Sequence, residues 1–474
     1  MRCLQQETNS PLDHSRMPYF DSSLSLLVDL YELTMAQSYF RHRRNAQATF
    51  DLFIRDLPRN RSYFLFAGLE DILRYLKDLK FTSKDLAELE ALGFDEDFLT
   101  YLGRMRFFGE VWALPEGSVF FPGEPAIRIT GSLIETQVIE SFLLNCVNLS
   151  TMIATKAARI VGAAQKRGVF DFSLRRTHGI DAAMKAARSS CIAGFRGTSN
   201  VLAARRYGMQ AVGTMAHSFV MSFAGEREAF EAFFDTFPQK TILLVDTYDT
   251  RKGIENAIHV ARKFKPKGFS LKGIRLDSGN ILRYSKMARQ MLDEAGLRDV
   301  KIFASGDLDE YKIERLIKAG APVDNFGVGT KMGVSSDSPF LDVIYKIAEV
   351  TNPQGVFIPT MKLSENKATL PGRKQVFRRY DRRGFCAKDI IGLENEDLGE
   401  PLLKCVMRAG EILHAARPLA EIRETASKNL SSLKKGLRSL RGSDPYPVLI
   451  STGLKKMVKA LSEELVKRQT SKKS

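Results

Sequence analysis

From Gly168 onward the chain repeats one arrangement: a short apolar run, a polar cluster, then a stretch with helical periodicity. The apolar runs are GVFDF (from 168), CIAGF (191), QAVGT (210), TILLVD (241), LKGIRLD (271), VKIFAS (300) and VDNFGVG (323). Between them lie helix-like stretches such as NVLAARRYG, GIENAIHVARKF and ILRYSKMARQMLDEAG. Spacings of roughly 20 to 30 residues are what parallel strands with helical crossovers require. The pattern therefore points to an α/β fold. An irregular (β/α) barrel of about seven units is favoured over an open sheet, with closure left to the structure.

Polar residues cluster at one end of each unit. They are Ser173, Arg175 and Arg176; Arg196, Thr198 and Ser199; Thr214 and His217; Asp246 and Asp249; Arg275 and Asp277; Ser305 and Asp307; Thr330 and Lys331. All strand C-termini of a βα barrel open on one face, so these side chains should converge on a pocket bearing both signs of charge.

The chemistry open to such a pocket follows from residue type. Ser305-Gly306-Asp307 and Gly327-Val328-Gly329-Thr330 each stand between a strand and a helix. Glycine there lets backbone N–H groups approach an anion, and the helix that follows adds partial positive charge. Arg275 and Asp277 are two apart on one strand, so both point to the same side. Arg275 suits a carboxylate or phosphate, and Asp277 suits sugar hydroxyls or a developing positive charge. An internal ion pair between the two is the plainer alternative. Asp246 and Asp249 flank Thr247-Tyr248 and are candidates to hold Mg²⁺ with a diphosphate. His217 is the one histidine of six in this set of strand ends, a candidate for catalysis or for a structural role. A serine–histidine nucleophile signature and a Walker loop are both missing, which argues against a hydrolase triad and a P-loop ATPase.

Before Gly168, SLLVDLYELTMAQSYF, FAGLEDILRYLKDL and SKDLAELEAL read as helices, and ATFDLFIRDLP as a strand ending at Pro58. WALPEGSVFFPGEPAIRITGSL reads as strands joined by turns, and a long helix is expected from about Thr136 to Lys166. With 474 residues, 44% apolar and 27% charged, the chain is a globular mixture of two or three domains. No run of eighteen apolar residues suggests a membrane span, and MRCLQQETNSPLDHS lacks the apolar core of a secretory signal. Five cysteines, scattered singly without a CxxC pair, favour a reducing, cytoplasmic setting.

The net charge of +16 is unevenly spread. From Glu421 onward there are thirteen Lys or Arg against five Asp or Glu. A solvated basic surface explains this more simply than nucleic-acid binding, because LSSLKKGLRSLRG lacks the aromatics of a base-stacking platform.

The motifs DLYELTMAQSYF, FDFSLRRTHG, GFRGTSN, GTMAHSF, VDTYDT, IRLDSGN, ASGDLDEYKI and FGVGTKMG together resemble the nicotinate phosphoribosyltransferases, in family order from residue 29 to about 345. MKLSENKATLPGRKQVFR and DPYPVLIS resemble that family's C-terminal part. The resemblance implies a type II phosphoribosyltransferase whose barrel is joined to an α/β sandwich domain built from both chain ends. Residues 1–150 would begin the sandwich, 151–345 would form the barrel with its site, and 346–474 would complete the sandwich and carry the basic tail.

It further implies a homodimer that joins nicotinate to phosphoribosyl diphosphate, with Mg²⁺, to give nicotinate mononucleotide for NAD synthesis. ATP hydrolysis would be coupled through a phosphohistidine at His217. By the same resemblance Tyr31, from the partner subunit, and Phe172 would stack on the pyridine ring. Arg275 would hold the nicotinate carboxylate with Thr214 nearby, and Arg175 and Asp277 would contact the ribosyl substrate. Gly306, Gly329 and Thr330 would cradle its phosphate, and Asp246 would join His217 and Asp277 in catalysis. Nicotinamide-using relatives carry an acid where this chain has Ser199, which predicts nicotinate as the base. The alternatives are nicotinamide or quinolinate on the same scaffold, a non-catalytic phosphosugar-binding barrel, and polyanion binding by a tail lost on truncation near Ser443.

Overall fold

The computed structural model describes residues 24–364, 368–441 and 445–470. The extension before Met17 and the position Ser443 lie outside the described residues.

Seven parallel strands form one curled sheet: Gly168–Asp171, Gly197–Thr198, Gln210–Ala211, Ile242–Leu244, Gly273–Leu276, Lys301–Ala304 and Asn325–Val328. Each pairs with its neighbour in the chain, and the first pairs with the seventh from Gly168↔Asn325 to Asp171↔Val328. Only the third and fourth strands share no ladder. The sheet is thus a barrel in chain order with a single open seam. These strands are three to four residues long except for the second and third, which have two residues each.

The second strand is not where the apolar run CIAGF placed it. Helix Ile180–Ile192 runs through Cys191, and a turn at Ala193–Arg196 leads to the strand at Gly197. A short apolar run reads equally as the buried end of a helix or as a strand, and here helix packing decides it. The long helix foreseen from Thr136 is two pieces, Leu133–Val138 and Glu140–Ala164, meeting at Ile139. Eighteen of the 25 residues of the second piece are buried, because it wedges between the barrel and the rest of the molecule.

A second seven-stranded sheet draws on distant parts of the chain, as foreseen for a sandwich built from both ends. Its order is Phe357–Pro359, Val343–Thr351, Gln47–Ile54, Pro125–Ser132, Glu110–Ala113, Lys404–Arg408 and Glu411–Ile412. Gln47–Ile54 lies antiparallel between Val343–Thr351 and Pro125–Ser132, and Phe50 stacks on Tyr345 at 4.6 Å. A four-stranded sheet, Glu400–Pro401, Lys374–Tyr380, Cys386–Leu393 and Val448–Ile450, is pinned by the buried Arg378–Asp389 pair.

Buried ions alongside the barrel bind these layers. Glu310, wholly buried at the start of helix Glu310–Lys318, meets Lys156 at 2.6 Å, Arg159 at 3.1 Å and Arg61 at 3.5 Å. Lys156 and Arg61 also reach Asp337, and Arg61 donates to Ser335. The Ser305–Asp307 turn, the loop after the seventh strand and the long helix are thereby held on one carboxylate. Among the described residues no helix is long and apolar enough to cross a membrane.

Candidate active site at the barrel mouth

The strand C-termini meet as foreseen, and Arg275 is the hub. It lies on the fifth strand, and four of its five N–H groups are engaged. Nε donates to Ser305 Oγ at 2.8 Å, and Nη2 donates to Asp277 Oδ1 at 2.7 Å. Nη1 donates to Thr214 Oγ1 and to the Met215 carbonyl, both at 3.3 Å. The guanidinium sits 5.4 Å from the centre of the Phe172 ring. The internal ion pair weighed from the sequence is therefore present, yet one N–H of Nη2 remains for a ligand.

Asp277 is bonded on one oxygen by Arg275 and Ser305, while its other oxygen lies 3.8 Å from His217 Nε2. Burial works to raise its pKa, but the charge of Arg275 and the two hydrogen bonds outweigh this and hold the carboxyl below the usual range. His217 opens a short helix, His217–Met221, and its Nδ1 is 3.1 Å from Thr247 Oγ1. Its side chain is 39% exposed, so the ring is reachable from the mouth.

Asp246 plays a scaffolding part. One oxygen accepts from the backbone N–H groups of Asp277 and Ser278 and from the Ser278 hydroxyl, at 2.7–2.8 Å. The other oxygen is buried without a hydrogen-bond partner among the described residues. Asp249 does not join it: it caps helix Thr250–Phe264, accepting from the Lys252 N–H at 2.8 Å. One of its two oxygens is thereby engaged by the backbone, as an Asp preceding a helix commonly is.

Two glycines are required by contact. A Cβ on Gly306, at φ +92°, would lie 1.8 Å from the Asp277 carbonyl oxygen. One on Gly327 would lie 2.5 Å from the Phe172 ring. Gly329 approaches the Phe172 carbonyl, and Thr330 stands exposed at the head of the turn that follows. Arg175 is exposed in the short helix Leu174–Arg176, without a partner among the described residues. Ser199 lies beside the mouth with its N–H on the Asp171 carbonyl at 2.8 Å.

Tyr31 stands apart. It lies on helix Leu30–His42, where burial and the nearby Glu140, Glu32 and Asp29 push its hydroxyl pKa upward. No hydrogen bond or ring contact joins its side chain to the barrel residues of the same chain among the described residues.

Asp171 is a positioning group that the sequence reading passed over. Its carboxylate accepts from the Ser173 N–H and hydroxyl at 2.8 and 2.6 Å and from the Thr198 hydroxyl at 2.7 Å. Burial raises its pKa against those bonds. An acid flanked by Phe170 and Phe172 in an apolar strand was the available signal.

An aromatic face, a cation with one open donor, an ionised carboxylate and a reachable imidazole, gathered at the C-terminal mouth of a parallel barrel, define a barrel enzyme. Comparison with known proteins makes this specific. The nicotinate phosphoribosyltransferase N-terminal domain matches residues 26–148, the nicotinate phosphoribosyltransferase family 168–352, and its C-terminal domain 398–458. A nicotinate phosphoribosyltransferase of Mycobacterium tuberculosis is 45% identical over 431 residues, covering 90% of this chain and 91% of the relative. One from Bacillus subtilis is 39% identical, covering 91% and 94%. The crystal structure of human nicotinic acid phosphoribosyltransferase superposes with a TM-score of 0.82 at 30% identity, covering 91% of this chain and 99% of that one. The chain belongs to the nicotinate phosphoribosyltransferase family.

Proposed function

We propose that this enzyme transfers the phosphoribosyl group of phosphoribosyl diphosphate to nicotinate, giving nicotinate mononucleotide and diphosphate, and couples the reaction to ATP hydrolysis through His217. The observation that carries the reading is the fixed Arg275 guanidinium beside the Phe172 face, with one donor still open. A flat pyridine acid fits there, its ring against Phe172 and its carboxylate on Arg275 and Thr214. Ser199 puts no negative charge beside that carboxylate, which favours the acid over its amide.

In the transfer, the C1–O bond to diphosphate breaks and the diphosphate leaves with the electron pair. The pyridine nitrogen lone pair forms the new C1–N bond. Positive charge grows on the ribosyl ring between these events, and Asp277, kept ionised by Arg275, is the group that stabilises it. Arg175, Gly306, Gly329 and Thr330 hold the 5-phosphate, the glycines by leaving backbone N–H groups open to it.

In this reading the His217 proton sits on Nδ1, 3.1 Å from Thr247 Oγ1, which leaves the Nε2 lone pair as the nucleophile. That lone pair takes the γ-phosphoryl group as the bond to ADP breaks. Mg²⁺ fits a donor set of this kind. Asp246 has a buried oxygen without a partner among the described residues, and Asp277 has a second oxygen free of hydrogen bonds. Two carboxylates with substrate phosphates suit this ion, which supplies charge neutralisation on the departing diphosphate.

A second copy completes the site in this reading. Tyr31 and Leu30 are 48% and 55% exposed on one helix, an apolar surface available to a partner that receives Tyr31 over its own Phe172. A cytoplasmic setting accords with the free thiols of Cys146, Cys191, Cys386 and Cys405.

The test is mononucleotide formation from nicotinate and from nicotinamide, each with and without ATP, for the wild type and His217→Ala. Nicotinate should be used, and ATP should raise its turnover only when His217 is present. Equal stimulation in His217→Ala would remove the phosphohistidine, and preference for nicotinamide or quinolinate would remove the substrate assignment.

A further inference from the structure

A cavity of about 590 Å³ opens at the other end of the barrel from the catalytic residues. Its walls include the turns Gln165–Arg167 and Ala193–Arg196, which come just before the first and second barrel strands, and the helix Leu419–Ser431. His217, Asp246 and Asp277 instead follow the C-terminal ends of their strands. The cavity belongs to a different face of the molecule from the proposed nicotinate site.

Six cations line it: Arg159, Lys166, Arg167, Arg196, Arg423 and Arg438. Among the described residues no Asp or Glu lines it. Arg159 is balanced by Glu310, but none of the other five forms an ion pair among the described residues. Four of the arginines are oriented by backbone carbonyls. Arg167 Nε donates to Val323 at 2.9 Å and Arg196 Nη2 to Lys166 at 3.0 Å. Arg423 Nη2 donates to Gly194 at 3.3 Å and Arg159 Nη2 to Leu440 at 3.4 Å. A carbonyl fixes a guanidinium without neutralising it, so several N–H donors and nearly all the charge stay available.

Cations gathered around one concavity repel one another, and an anion of matching charge relieves that repulsion. Guanidinium forks match phosphate oxygens in geometry, and the volume falls in the range of small-molecule sites, roughly 300–1,000 Å³. We propose that this cavity is a second ligand site that takes a small molecule carrying two or more phosphate groups. Arg423 and Arg438 come from the basic C-terminal segment, so part of that segment's charge acts in recognition as well as in solvation.

The test is calorimetric titration of the full chain with inorganic tripolyphosphate at 150 mM NaCl, in the presence of saturating nicotinate mononucleotide, whose single phosphate fills the catalytic mouth without belonging to the class proposed for the cavity. One equivalent should bind, and Arg423→Gln/Arg438→Gln should weaken it at least tenfold while leaving mononucleotide synthesis within twofold. Lys455→Gln/Lys456→Gln, which removes the same charge from the exposed face of the last helix, should leave the affinity within twofold. Equal weakening by both double variants, or loss of binding when the mouth is filled, would overturn the proposal. Should the arginine variant fail to fold, Lys166→Gln, which breaks no hydrogen bond among the described residues, must weaken binding at least threefold. An unchanged affinity there would also overturn it.

Discussion

Gly306→Ala is the sharpest perturbation of the mouth, because its cost can be worked out from two separate contributions. The backbone at Gly306 holds φ +92°, so any side chain there meets a strain of about 1–2 kcal/mol. The added Cβ would also stand 1.8 Å from the Asp277 carbonyl oxygen, where real contacts keep at least 3.0 Å. The backbone of Asp277 must therefore move by about 1.2 Å. That movement carries the Asp277 carboxylate, its bond to Arg275 and the N–H groups seated on Asp246. A misplacement of about 1 Å in a catalytic array costs on the order of 100-fold in rate. Gly296→Ala separates the two contributions, since Gly296 sits at φ +74° with nothing within 4 Å of its added Cβ. Gly296→Ala should lose about 1–2 kcal/mol in urea unfolding, and Gly306→Ala more than that because the clash adds to the strain. Only Gly306→Ala should lose about 100-fold in kcat/KM for nicotinate, measured by mononucleotide formation. A Gly306→Ala enzyme within threefold of wild type would refute the placement of this turn against Asp277 in the working site.

Three other substitutions probe separate parts of the molecule. Glu310→Gln removes the charge on which Arg61, Lys156 and Arg159 converge, and should cost about 3 kcal/mol in chemical unfolding; a loss below about 1 kcal/mol would contradict the account. Burial raises the Glu32 pKa to about 7, with Glu140 and Asp29 adding to the effect against bonds from Ser141. The folded state thus keeps a proton that the unfolded chain releases near pH 4.3, and stability falls as pH rises through that window up to about 7. Glu32→Gln should accordingly raise Tm more at pH 8 than at pH 5, and an equal shift at both would count against the buried charge. Ser199→Asp should move the ratio of nicotinamide to nicotinate turnover at least tenfold toward the amide; an unaltered ratio would show that discrimination lies elsewhere.

The legible parts of this molecule were those where one residue type has one plausible use. Repeated apolar runs followed by polar clusters disclosed the barrel and brought Phe172, Thr214, His217, Asp246, Arg275 and Asp277 to one mouth. The strand Gly197–Thr198 was not legible, since two residues paired with two neighbours take their conformation from the sheet rather than from their own propensities. The capping role of Asp249 was not legible either, because the sequence does not reveal that a helix N-terminus takes one of its oxygens. The service of Asp171 depends on Thr198, 27 residues away, and that of Glu310 on cations contributed by Arg61, Lys156 and Arg159. Such partnerships are properties of the folded arrangement and leave little trace in local pattern.

The unpaired seam between the third and fourth barrel strands lies beside the segment that carries Thr214 and His217. Across that seam no ladder ties the segment to the next strand. Among the described residues its hydrogen bonds in that direction are His217 to Thr247, and Thr214 and Met215 to Arg275, with His217 also 3.8 Å from Asp277. At about 1 kcal/mol for each such bond, the clasp can be released for far less than the free energy of unfolding the barrel. A phosphoryl group arriving on the imidazole would act on that clasp directly, in a ring whose other staves stay hydrogen-bonded. The histidine loop is thus the stave of the described barrel that is held on its far side by side-chain hydrogen bonds in place of a ladder.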